Sequence, residues 1–151
     1  MYASALILHS LLRWAVVGLA VLALVRAFTG KDSSWSSADE TPRRWLPIAV
    51  TVQFVLGLLL YGLWSPLTTA AMADMKIAMK DATLRFWAVE HITVMVIALA
   101  LVHIGGARAR KAATPASKRG AMRVFFGLAT VLMLWGIPWV SRPLLRLSGS
   151  E

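Results

Sequence analysis

Leu84 to Gly106 reads LRFWAVEHITVMVIALALVHIGG. An α-helix rises about 1.5 Å per residue, so this stretch is long enough to cross a hydrocarbon core about 30 Å thick. It nevertheless carries Glu90, His91 and His103. Ionisable groups inside a spanning helix are costly, and their presence points to a partner and a function. The natural counterpart is the first apolar run, Ala3 to Phe28, which only His9, Ser10, Arg13 and Arg26 interrupt.

Composition supports a membrane protein. Of the 151 residues 58% are hydrophobic, against about 45–50% in a soluble domain, and mean hydropathy is +0.68. Seven tryptophans suit a chain with bilayer–water interfaces to mark. The absence of cysteine excludes disulfides, thiolate metal sites, Cys-ligated iron–sulfur clusters and covalent c-type haem. The net charge of +9 falls between the apolar runs, where it sets topology and meets anionic lipid rather than nucleic acid.

The pattern predicts an all-α integral membrane four-helix bundle in one domain, with spans at about 3–28, 45–64, 84–106 and 122–140. The first run has no charge before Arg13 and is too long for a signal peptide, so it reads as a retained helix. Gly30 to Arg44 reads as a polar loop. The second span runs from Trp45 to Trp64, with Pro47 in its first turn. Leu67 to Asp81 is too polar to span and reads as a short amphipathic helix on the membrane surface. Its Met72, Met75 and Met79 are either that helix's apolar face or a soft-ligand stripe of the kind that holds Cu(I). Ala107 to Arg123 reads as a basic loop. Ten Lys and Arg residues follow spans one and three, against five on the opposite side, which places both termini outside.

His9 lies about six residues into the first run and His91 about seven into the third, so parallel helices bring them to one depth. Facing helices build cofactor sites from such side chains, and two neutral imidazoles are the axial set of a b-type haem. Ala88, Ala98, Gly57 and Gly62 would make room for a flat macrocycle. Arg13, one turn deeper than His9, would pair with Glu90 or meet a haem propionate. His103, about 18 Å further along its helix than His91, cannot share that site. The alternative is that His9, Arg13, Glu90 and His91 form only a polar network between helices. No nucleophile–base pair, phosphate loop or metalloprotease motif is present, and half-broken transporter helices are not evident.

His9-Ser10-Leu11-Leu12-Arg13-Trp14, Met79-Lys80-Asp81 and Leu84-Arg85-Phe86-Trp87-Ala88-Val89-Glu90-His91 resemble a group of small bacterial membrane proteins commonly labelled cytochrome b. Gln53 to Tyr61, the Ile104-Gly105 turn and Gly136-Ile137-Pro138-Trp139 extend the resemblance to all four spans. It implies a bacterial inner-membrane protein holding b-type haem through His9 and His91. Members often carry a histidine on span two just before the glutamine, where this chain has Thr51, and His103 is a second departure. Both weaken a two-haem arrangement and leave the His9–His91 pair untouched. The expected function is electron transfer with quinone or a partner redox enzyme, with Arg13 and Glu90 beside the cofactor. The competing expectation is a non-haem accessory subunit of a larger membrane complex.

Overall fold

The computed structural model describes residues 1–139, which contain helices and no strand. Val140, where the fourth span was expected to end, and the cations Arg142 and Arg146 lie outside the described residues. The helices are α1 (Tyr2–Thr29), α2 (Ser37–Leu59), α3 (Pro66–Ala73), α4 (Met75–Ala78), α5 (Ala82–Arg85), α6 (His91–Lys111) and α7 (Pro115–Trp135). Two widened, π-helical segments interrupt this order, Leu60–Trp64 directly after α2 and Phe86–Glu90 directly before α6. Among the described residues three helical stretches are long and apolar enough to cross a membrane: Tyr2–Thr29, Ser37–Trp64 and Ala82–Lys111.

Each long helix packs chiefly against two others, in the ring order α1, α2, α6, α7, so α1 and α6 lie diagonally opposite. Buried residues recur at helical spacing: Val16, Ala20, Ala23 and Ala27 on α1, and Met122, Phe126, Ala129 and Met133 on α7. This is the alternating three-and-four period of a helix with one apolar seam. Alanine lets α1 approach its neighbours closely. Gly105 of α6 does the same against α7, since a Cβ there would lie 2.6 Å from the Phe125 Cβ.

The two ends of the ring differ. From Val16, Val50, Ala98 and Met133 towards the C-terminus of α1, the interior is filled by Ala20, Ala23, Ala27, Leu46, Val102, Met122 and Phe126. In the other direction it is hollow, and the same four residues form part of the cavity wall. At the filled end Asp39 and Arg119 are both almost completely buried and joined at 2.9 Å. Arg26 pairs with the other Asp39 oxygen at 3.0 Å. Arg119 also donates to the carbonyls of Lys31 and Ser34, tying the α1–α2 connection to α7. Asp39 lies in the first turn of α2, ahead of the apolar segment. Burial pulls its carboxyl upward, but hydrogen bonds from the Ser36 N–H and hydroxyl and the charges of Arg119 and Arg26 outweigh this. The net effect holds it below the usual carboxylate range.

Several boundaries differ from the sequence reading. α2 begins at Ser37 rather than Trp45, because Asp39 reaches back to the Ser36 N–H at 2.9 Å and satisfies a helix-start donor. Pro42 and Pro47 therefore both lie inside α2. Most of the expected basic loop is helical, with α6 running to Lys111 and α7 starting at Pro115. Thr114 and Ser117 cap α7 reciprocally. α7 stops at Trp135, not 140, because Pro138 disfavours helix at the residue before it. It is not among the three helices apolar enough to span. The surface helix expected over Leu67 to Asp81 is broken at Asp74, whose carboxylate starts α4 by accepting from the Ile77 N–H. Met72, Met75 and Met79 are exposed and do not share one continuous helix.

Candidate functional site

The hollow end encloses a cavity of about 450 Å3 between α1, α2, α6 and α7, within the range of about 300–1,000 Å3 usual for ligand and cofactor sites. Its wall is mainly aliphatic and aromatic, and a few polar side chains converge on it: His9, Ser10, Arg13, Gln53 and His91 among them. The diagonal placement of α1 and α6 puts His9 and His91 on opposite helices of the ring, where both line the same cavity.

The two imidazoles are held differently. His91 Nδ1 is 3.0 Å from the Gly136 carbonyl. A carbonyl only accepts, so Nδ1 carries the proton and the lone pair is on Nε2, the tautomer of a metal-ligating histidine whose other nitrogen is braced by backbone. Phe86 and Trp87 flank the ring, with centroids 5.8 and 5.4 Å away. His9 Nδ1 is buried with no hydrogen-bond partner among the described residues. The backbone carbonyl of His9 accepts from Gln53 Nε2 at 3.0 Å, while Gln53 Oε1 is buried without a partner. Buried polar atoms are nearly always satisfied, so these two call for a partner beyond the described side chains, a water included.

Each imidazole also lies against a glycine of another segment. A Cβ at Gly57 would come 3.2 Å from His9 Cε1, and one at Gly136 would come 3.7 Å from His91 Nδ1. Gly57 thus makes room for the His9 ring, whereas a Cβ at Gly62 would meet nothing within 4 Å. Ala98 lines the cavity. Ala88 instead packs with Ala71 and Ala78 under the surface helices.

Arg13 lines the cavity, with its guanidinium over the Trp14 ring at 5.4 Å. Glu90 is not in the cavity wall, and its carboxylate accepts from Arg85 Nε at 2.7 Å. His103 is remote from the cavity: its Nε2 is 2.9 Å from the Thr51 hydroxyl. That hydroxyl sends its only proton to the Pro47 carbonyl, so His103 Nε2 is the donor. The two positions that depart from the cytochrome b resemblance therefore face each other.

Among the described residues no three or more His, Cys, Asp or Glu side chains cluster as a metal site. Two axial imidazoles are all that a haem iron asks of a protein, and two histidines on one cavity wall, His91 braced through Nδ1 so that Nε2 carries the lone pair, fit that donor set. Compared with known proteins, the chain matches no family model, no curated protein and no solved structure.

Gln53, Gly136, Tyr61 and Trp87 were not among the residues expected to build the site. Gln53 was visible as a rare polar residue inside a span. No local signal marks Gly136, since its role depends on the turn after α7 folding back to His91.

Proposed function

We propose that this protein is a bacterial inner-membrane b-type cytochrome, a four-helix bundle with both termini outside that holds one haem between His9 and His91. It would pass electrons to or from quinone or a partner redox enzyme. The observation that carries the reading is the pairing of two histidines from diagonal helices on one apolar cavity, one braced by Gly136 and the other seated against Gly57. A bound haem supplies one-electron redox chemistry. The chain's own contribution is to present His91 Nε2, to seat His9 against Gly57, to exclude water with aliphatic walls, and to place the Arg13 charge one turn deeper than His9. The resemblance in the His9–Trp14 and Leu84–His91 segments supports the same assignment.

Purified protein, expressed with ample haem supply, is expected to be red, with a Soret band that shifts on dithionite reduction. Colourless protein would reject the haem and favour the accessory-subunit alternative, in which His9, Gln53 and His91 only lock helices together. The walls give a second check. Gly57→Leu drives a side chain into His9, and overpacking costs about 1–3 kcal/mol. That is enough to weaken cofactor retention roughly tenfold, read as Soret absorbance per protein. Gly62→Leu, which meets open space, should leave retention unchanged.

A further inference from the structure

Both widened turns lie at the hollow end, and one side chain joins them. The Tyr61 hydroxyl, in Leu60–Trp64, donates to the Ala88 carbonyl, in Phe86–Glu90, at 2.8 Å. Tyr61 is itself fixed from behind, since the buried Thr68 hydroxyl donates to its carbonyl at 2.6 Å. A Tyr hydroxyl removed from water needs an acceptor, and the second wide turn supplies one.

The width of that turn decides what surrounds His91. In a regular α-helix, residues five apart point about 140° away from each other and residues four apart about 40°. Trp87 would then touch His91 and Phe86 would not. Here both do, and the two aromatic rings also meet edge to face at 4.9 Å. The turn is closed by the five-residue bond from the His91 N–H to the Phe86 carbonyl. The extra residue thus gives the imidazole two aromatic walls instead of one.

We propose that Tyr61 is a positioning residue for His91. By holding the Phe86–Glu90 turn wide, it keeps Phe86 and Trp87 against the imidazole. The ring torsion of histidine is broad and roughly two-fold, so a single hydrogen bond to Gly136 leaves the plane of the ring free to rock. Two walls and that bond together fix both the plane and the direction of Nε2. Widened turns of this kind are frequent at functional sites, and this one directly precedes the proposed ligand. The proposal rests on the haem reading for one of its two readouts only.

Tyr61→Phe tests it, because the ring stays and only the hydroxyl is lost. In protein labelled with 15N-histidine and stripped of pigment, wild-type His91 should show the Nδ1-protonated pattern. In Tyr61→Phe that signal should move towards the average of the two tautomers, with His9 and His103 unshifted. In pigmented protein the low-spin ferric EPR signal, which reports the planes of axial imidazoles, should shift while Soret absorbance is retained. Phe86→Ala, which removes one wall directly, should reproduce both changes. Unchanged His91 nitrogen shifts in Tyr61→Phe would overturn the proposal, as would an unchanged EPR signal in pigmented protein. Should wild-type protein prove colourless, the haem reading fails and the nitrogen shifts alone decide the role of Tyr61.

Discussion

Arg119→Ala is expected to lower the free energy of unfolding by about 3–5 kcal/mol, because it strands a buried carboxylate. Beside its hydrogen bonds from Ser36, Asp39 would keep Arg26 as its one cation, whose side chain is 33% exposed and whose attraction is screened by solvent. The Lys31 and Ser34 carbonyls would lose their donor at the same time. Arg123→Ala is the contrast. Its ion pair with Asp32, at 3.6 Å, is half open to solvent, so that component is worth less than about 1 kcal/mol. Equilibrium unfolding in detergent, followed by tryptophan fluorescence, separates the two. Equal costs would show that the buried pair is not what anchors this end.

The same carboxylate gives a pH signature. Its folded value lies below the usual range, and the unfolded value is about 3.9. The stability it contributes is therefore complete above about pH 4 and is lost as pH falls through the folded value. The Asp39 contribution, read as the difference in unfolding free energy between wild type and Asp39→Asn, should be constant from neutrality down to about pH 4 and shrink below it. Asp39→Asn should be the less stable over that range and lack this part of the acid decline.

His9→Ala and His91→Ala are each expected to abolish most of the pigment, and His103→Ala to leave it intact. Each of the first two removes half of the proposed axial donor set. His103 is committed to Thr51 and does not reach the cavity. The ratio of Soret to protein absorbance reads the result. Pigment lost only in His103→Ala would mean that the histidines are wrongly paired.

How much of this was legible in the chain depended on the range of the interaction. The three long apolar helices were readable because apolar length is a local property. Two helix starts were missed although their signals were present: Ser36 with Asp39, and Thr114-Pro115 with Ser117, are capping patterns three residues apart. Both were read as loop because charge was taken to mean exposure. Arg119 shows why that fails, since its partner Asp39 is 80 residues away. His9 and His91 could be singled out as polar residues at matched depth. The carbonyl that braces His91 and the turn that sets its walls could not, because each is made by a different part of the chain.

The packed half of the ring has a consequence of its own. From Ala98 to Ala109 is eleven residues, so about 16 Å of close-packed side chains lies between the cavity floor and the Asp39–Arg119 end. For a protein that spans the bilayer as proposed, the cavity is a blind well. A cofactor held there would exchange electrons at the open face, with about half of a hydrocarbon core about 30 Å thick solid below it. Electron exchange by a cofactor bound there would carry charge across only part of the membrane and would not by itself relay electrons from one face to the other.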